Sequence, residues 1–457
     1  MKVEGSRKSC GGVLAETKSY ACLSIAIMAL FCWSAVAGAQ DSTHAPAGTR
    51  SLAPTPFQLT IPPGHLLGNW HGLRTWLEDH GITPALTFVT DALGNATGGL
   101  RQGFTAANDL ALDALFDLEK LHGPEDGSFH VSASARFGSS LSAKDIGNIF
   151  PVQQAFGGET LWLVNAAYKQ ELLDDRLEFR LGRIAAGDDF LVSPYYCAFV
   201  QGGMCGNPQG IFFNSPGMTA YPNATWGILV KVRPTERTYV MAGLYNGDPS
   251  IRANSRHGVD FSMNGPLFAI GEIAYRVNGL PGDKGLIGNY KAGVWYDNSR
   301  FTDFNTAGLG RSPSLKRGNW GFYGLFDQVL IRFGGQGSNR GFGVTGSVLI
   351  SPDQSVSQMP YFFNAGLVAR GIFPSRPTDV VGFGAVFGQF SSDLQDSQHR
   401  AEQPVQRHET VLELTYRLNL LSGALFFQPD LQYIIRPGGT GRISDAVVCG
   451  VQAGVNF

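Results

Sequence analysis

Charge is scarce in this sequence. Asp, Glu, Lys and Arg make up 16% of 457 residues, against about 25% in ordinary soluble domains. The 35 basic and 37 acidic side chains nearly cancel, for a net of −2. No basic footprint points to nucleic acid. With 43% apolar residues the chain is also too hydrophobic to be disordered. Cysteine numbers only six and is not clustered with histidine at zinc-ligand spacing. Neither G-x-S-x-G, H-E-x-x-H nor a P-loop occurs. The one G-x-G-x-x-G match, Gly341 to Gly346, opens an apolar strand and has no strand–turn–helix unit around it. No cofactor, no metal and no enzymatic activity are expected. What the chain has in excess is glycine, 59 residues without the three-residue period of collagen.

The N-terminus reads as an address. Lys2, Arg7, Lys8 and Lys18 precede an apolar run over residues 21–39, which ends in Ala37-Gly38-Ala39. This is the pattern of a cleaved secretory signal, residues 1–39. Cleavage there removes four basic and two acidic residues and leaves a net charge of −4. No later segment reaches 18 apolar residues, so no transmembrane helix is expected. Export implies an oxidising compartment. Cys197 and Cys205 stand eight apart in a Gly/Pro-rich stretch and are expected to form a local disulfide, with Cys449 unpaired on a strand.

Residues 40–63 are rich in Ala, Pro and Thr and read as a linker. Residues 64–81 carry Leu66, Leu67, Trp70, Leu73, Trp76 and Leu77 at helical spacing, a short amphipathic helix expected to pack on its own domain. From Ile82 to Phe457 the period is two. Leu110, Leu112, Ala114 and Phe116 alternate with Asp109, Ala111, Asp113 and Asp117. Thr410, Leu412, Leu414, Tyr416 and Leu418 alternate with Glu409, Val411, Glu413, Thr415 and Arg417. Each strand therefore has a greasy face and a polar or small one.

Alternation alone does not separate a soluble sandwich from a membrane barrel. Three features favour the barrel. The strands run about as long as the ~9–11 residues a bilayer requires. Tyr168, Tyr275, Tyr296, Tyr416 and Tyr433 sit near strand ends, as an interfacial girdle would. Gly382, Gly384, Gly388, Gly450 and Gly454 fall on the polar side, where they suit a curved wall. Sixteen strands are expected, the first starting near Ile82 and the last near Ala446, with parity ambiguous around Tyr239 and Asp327. Short connections such as Leu173–Arg176 and Leu421–Gly423 alternate with long ones such as Ser139–Gly158, Gly187–Asn223 and Ser391–Arg407. That asymmetry matches turns on one side of an outer membrane and loops on the other. The expected fold class is all-β, a transmembrane antiparallel β-barrel of about 16 strands preceded by a short helix.

The segment LLGNWHGLRTWLEDHGI, followed by DALGNATGG, resembles the N-terminal signature of the carbohydrate-selective, OprB-like porins of Gram-negative outer membranes. ETVLELTYRLNL and FFQPDLQYIIRPGG, within residues 409–439, resemble the C-terminal signature, and LEFRLGR and the CGNP at Cys205–Pro208 resemble further family segments. The resemblance spans residues 64–457. It implies an outer-membrane channel that passes glucose-like sugars by passive diffusion. Carbohydrate solutes and outer-membrane lipid are then the partners, and nucleic acid is not. A homo-oligomer stays open, because subunit contacts would use the same apolar residues as lipid.

A sugar pore needs a constriction, groups that replace sugar hydration, and apolar surface for the ring. The longest loop, Gly187 to Asn223, is the candidate constriction, with Asp188, Asp189, Tyr195, Tyr196 and Phe199; an external cap is its alternative. Candidate lumen-wall residues along the substrate pathway are Arg136, Arg180, Glu272, Arg370, Glu413, Arg417, Asp430 and Gln432, with Trp295 as a stacking plate. Their mixed signs suit neutral polyols; salt bridges that stiffen the wall are the alternative for each. The rival functions are a general non-selective diffusion porin, a plugged structural barrel, and an outer-membrane lipase built on His130 with Ser132 or Ser134.

Overall fold

In the computed structural model, residues 64–335 and 338–457 are described. The expected signal over residues 1–39 and linker over 40–63 lie outside the described residues. The first half of the barrel contains β1 (Ile82–Gly99), β2 (Gly103–Asp117), β3 (Gly127–Gly138), β4 (Thr160–Leu172), β5 (Leu177–Ile184), β6 (Thr225–Thr235), β7 (Thr238–Asn246) and β8 (Leu267–Val277). The second contains β9 (Gly288–Thr302), β10 (Leu315–Phe333), β11 (Arg340–Ile350), β12 (Tyr361–Arg370), β13 (Val380–Gln389), β14 (His408–Leu420), β15 (Leu425–Ile435) and β16 (Ser444–Asn456). Each strand pairs antiparallel with the next, and β1 pairs with β16 to close the ring. Closure leaves no unpaired edge.

Register decides which face meets lipid. Phe88, Leu110, Ala135 and Leu161 lie side by side across β1 to β4. Leu367, Phe383, Leu414 and Leu431 do so across β12 to β15. These rows point outward: Leu161 is 60% exposed and Leu414 50%. The polar partners on the other face are buried, with Asp91 and Gln432 at 0% and Glu413 at 1%. A water-soluble sandwich would bury the leucines, so the outer surface is built for hydrocarbon. Tyr275, Tyr290, Tyr296 and Tyr433 are exposed near the two rims. Tyr239 and Asp327, ambiguous in the sequence, both face the lumen, because their cross-strand partners, Ala274 on β8 and Asn289 on β9, do so. Cys449 is unpaired and exposed on the outer face. No helix among the described residues is long and apolar enough to cross a membrane.

The two ends differ. One carries short turns such as residues 173–176, 236–237 and 421–424, together with the chain terminus Phe457. The other carries the longer loops L2 (139–159), L3 (185–224), L4 (247–266), L7 (390–407) and L8 (436–443). At the turn end lies α1 (Leu73–Asp79). Its expected packing on the barrel is partial: Leu73 and Trp76, and Leu67 before the helix, are each more than half exposed, while Leu66, Trp70 and Leu77 are half-buried. The buried contact is polar. Arg74 donates to the carbonyls of Pro84 at 3.1 Å and Phe457 at 2.5 Å, and stacks on Trp70 at 4.3 Å. The Leu66 N–H adds a bond to the Asn456 carbonyl at 2.8 Å. The helical segment thereby ties the last strand to the first.

Candidate functional site

The lumen is not an open cylinder. L3 and L2 turn inward and pack on the wall from β8 round to β1. A loop that leaves water must find partners for its backbone N–H and C=O groups, and the wall supplies them. The Glu413 carboxyl accepts from Val200 N–H at 2.6 Å and Gln201 N–H at 3.2 Å. Glu272 accepts from Leu191 N–H at 3.1 Å, from the Tyr323 hydroxyl at 2.9 Å and from the Tyr239 hydroxyl at 2.7 Å. Gln428 donates to the Ala198 carbonyl at 3.0 Å. L2 is held in the same way. Glu409 accepts from Ile149 and Phe150 N–H at 2.8–2.9 Å, Asp91 from Ala155 N–H at 2.7 Å, and Gln432 donates to the Val152 carbonyl at 3.0 Å.

Shape complements these bonds. Phe199 is fully buried and seats its ring against Gly366, Gly382 and Gly384, where a Cβ would stand 2.8–2.9 Å from it. Cys197 and Cys205 are joined and enclose this residue, with Cα atoms 4.4 Å apart. The glycines were expected on the lumen side as a device of curvature. They face the lumen; Gly382, Gly384 and Gly388 provide room for loop side chains, while Gly450 lies against β1 and Gly454 against the Phe426 ring of β15.

This packing changes the part played by several candidate pathway residues. Glu272, Glu413 and Gln432 face inward, but they lie under the loops and hold them rather than lining water, and Asp430 is buried among them. Asp430 and Gln432 bond each other at 2.7 Å. Trp295 also faces inward, yet is only 3% exposed and belongs to the apolar layer beneath L3, so it presents no ring face to a solute. Arg136 is buried: it donates to the Phe156 carbonyl at 3.1 Å, lies 3.4 Å from Asp109, and covers the Tyr221 ring at 5.1 Å. Arg417 lies 3.6 Å over the Phe426 ring. Arg370 is exposed, on the inward-facing side of β12 near the turn end.

A charged strip lies on β3 to β7, where L3 also packs on the wall: Trp162, Val164, Leu229, Met241 and Tyr245 are buried there, and Arg180, Asp189 and His130 keep partial access to solvent. Here Arg180 bridges Asp189 at 3.0 Å and Glu178 at 3.4 Å. Arg233 reaches Glu178 at 2.8 Å, and His130 reaches Asp113 at 3.0 Å. Asn165 donates to Asp188 at 3.3 Å. Lys231 stands 4.7 Å from the Tyr239 ring centre. Burial next to Asp189 pushes the Asp188 carboxyl up to about 7, against the opposing pull of Asn165 and Arg180. Of the loop candidates, Asp188 and Asp189 join this strip, Tyr195 is half-buried beside Gly343, and Tyr196 and Phe199 are buried. Below the strip, toward the turn end, L3 roofs a cavity of about 450 Å³ whose lining includes Ser193, Lys231, Arg233, Tyr239, Arg276 and Lys291.

Sequence reasoning missed the loop clamps Glu409, Asp91 and Gln428, and the strip residues Glu178, His130, Asn165, Lys231 and Arg233. Inward parity marked Glu409 and Gln428 as wall residues and could have raised them. Nothing in the sequence marked L2 as an inward loop. Among the described residues no group of three or more His, Cys, Asp or Glu side chains is placed to hold a metal.

Comparison with known proteins follows the same lines. Residues 101–457 match the family model described as carbohydrate-selective porin, OprB family. Porin B of Pseudomonas aeruginosa is 28% identical over 415 residues, covering 85% of this chain and 90% of that protein. The putative porin QuiX of Acinetobacter baylyi is 27% identical over 425 residues, covering 86% and 93%. The high-pH structure of Pseudomonas putida OprB superposes with a TM-score of 0.80 at 26% identity, over 86% of this chain and 98% of that one. The low-pH structure of the same protein superposes with a TM-score of 0.56 at 22% identity over the same shares of the two chains.

Proposed function

This chain belongs to the OprB family of carbohydrate-selective porins and is a sugar channel of the Gram-negative outer membrane; from that premise we propose that glucose-sized solutes cross it along the strip between the start of L3 and strands β3 to β7. The observation that carries this reading is the close spacing of donors and acceptors at Arg180, Asp189, Asn165 and Asp188, with bonds of 3.0 and 3.3 Å. A sugar hydroxyl both donates and accepts, so it can replace water at either member of such a pair. Each exchange is worth about 1 kcal/mol net, somewhat more against a charged group. Three or four together reach the ~4 kcal/mol of a millimolar site. A site this weak releases what it binds, as a channel must. Tyr239, which lines the cavity below with Lys231 over its ring, is the aromatic surface offered to the sugar, the part first assigned to Trp295. The cavity below, about 450 Å³, lies within the ~300–1,000 Å³ of small-molecule sites.

The test is glucose block of the ion current through single channels in planar bilayers. Wild-type current should fall saturably with glucose at millimolar concentrations. Arg180→Gln and Asp189→Asn should each weaken the block severalfold while the channel still conducts. A current indifferent to glucose would favour a general diffusion pore.

A further inference from the structure

The loop end carries a second concave site that sugar passage does not use. L7 and L8 meet over the ends of β14 and β15 and enclose a cleft of about 480 Å³. Its lining includes Arg407, Arg436 and Arg442 with His399, against a single acid, Glu402. None of these three guanidiniums has a carboxylate within ion-pair distance among the described residues. Other arginines of the same end are paired: Arg101 to Asp145 at 2.6 Å and Arg256 to Asp260. The neighbouring Asp445 carboxylate is taken up by the Arg436 backbone N–H at 2.8 Å and the Tyr433 hydroxyl at 3.1 Å, and three cations gathered against one acid repel one another.

Here the backbone holds them together. Arg407 N–H donates to the Gly439 carbonyl at 2.8 Å, and Gln406 Nε2 to the Gly438 carbonyl at 3.0 Å, which lock L7 to L8. Glu409 accepts from Gly438 N–H at 2.7 Å and anchors the same turn to the wall. The Arg436 guanidinium lies against Gly441, where φ is +71° and a Cβ would stand 3.3 Å from its Nη2. Arg436 Nε is buried without a hydrogen-bond partner. The loops that carry the cleft are therefore fixed to each other, Arg407 and Arg442 are exposed on them, and Arg436 has a donor to spare.

We propose that this cleft binds a phosphate-bearing anion at the extracellular rim. Guanidinium forks match the spacing of phosphate oxygens and bind them bidentately. Two sources share that chemistry: the phosphorylated lipid headgroups of the outer leaflet and phosphate free in solution.

The test uses the full-length channel in non-ionic detergent, with inorganic phosphate followed by ³¹P line broadening. Wild-type protein should broaden the line, and added salt should reverse the effect. The triple variant Arg407→Gln, Arg436→Gln, Arg442→Gln should reduce the affinity at least tenfold. Arg101→Gln, which removes a paired arginine of the same end, should leave it unchanged. Heat-modifiable migration on gels reports whether each barrel is folded. Diphosphorylated lipid A in phosphatidylcholine vesicles supplies the second arm. If it displaces phosphate where dephosphorylated lipid A does not, the source is the membrane; if neither displaces it, the source is a solute. A folded triple variant that binds phosphate as wild type does overturns the proposal. So does a wild-type channel that binds neither probe.

Discussion

Glu413 is the most exacting place to test the clamped-loop lumen. Replacing it with Ala removes the acceptor of two backbone N–H groups, Val200 at 2.6 Å and Gln201 at 3.2 Å. Each buried donor left unsatisfied costs about 1–3 kcal/mol, so the packed arrangement of L3 loses about 2–6 kcal/mol. The lower figure already shifts a docked–undocked equilibrium of the loop about thirtyfold. The barrel itself should survive, because the ladder of β14 with β13 and β15 does not involve that carboxyl. Single-channel recording should then show higher conductance and added open-channel noise. Glu413→Gln keeps one carbonyl oxygen and should fall between wild type and Glu413→Ala. The readings of these two variants, on protein shown by heat-modifiable migration to be folded, decide the matter. If Glu413→Ala conducts with wild-type amplitude and noise, the carboxyl does not hold L3 and the argument fails.

Further perturbations address other layers of the structure. Asp188, with its carboxyl pushed up to about 7 by burial beside Asp189, is neutral below that pH and anionic above it. The cation-to-anion permeability ratio should therefore rise between pH 6 and pH 8, measured as reversal potential in a salt gradient, and Asp188→Asn should flatten that step. Leu414→Arg places a charge on the lipid face at the middle of β14, at a cost of about 2–4 kcal/mol. Leu420→Arg at the strand end should cost at most about 1 kcal/mol, and urea titration of folding into lipid vesicles will compare the two. Joint replacement Cys197→Ser, Cys205→Ser removes a cross-link spanning eight residues, worth about 2–3 kcal/mol of loop ordering. It should raise open-channel noise. Reducing agent should do the same to wild type and nothing to the variant.

The barrel could be read from the sequence because its determinant is local. A residue at position i and its neighbour at i+2 share a face whatever the rest of the chain does, so Leu412 and Leu414 already separate from Glu413. Strand number follows, and sixteen were both expected and found. Lengths were less regular than the bilayer requires: β5 has 8 residues and β10 has 19, because β10 continues beyond the membrane zone toward the loop end. The lumen was harder for the opposite reason. Inward parity shows that Glu413 and Trp295 face the interior, but not what fills it. Glu409 meets Phe150 across 259 positions of sequence, and no periodicity carries that information. A residue on the wall of a barrel has water or a loop in front of it, and those two situations give it opposite work.

The arrangement of the two walls follows from that distinction. On the β8-to-β1 side, carboxyls and amides are spent on loop backbone, and glycines leave space for rings. Phe199 fills the hollow over Gly366, Gly382 and Gly384, while Gly388 leaves room for Phe150 and Met359. Burial of one such ring contributes about 1.5–3 kcal/mol, comparable with the bonds that Glu413 and Glu409 make. Polar clamps and apolar seats thus hold L2 and L3 by separate means, and the loss of one leaves the other in place. The β3-to-β7 side keeps its charges in pairs that solvent still reaches, as at Arg180 and His130, whose side chains are 15% and 26% exposed. A solute that exchanges hydrogen bonds there meets groups already fixed in position, so recognition does not require the loops to move. On the proposed route, selectivity and rigidity have one source: the same inward folding that brings Asp188 and Asp189 to the strip also fastens L3 to the wall through Glu413 and Glu272.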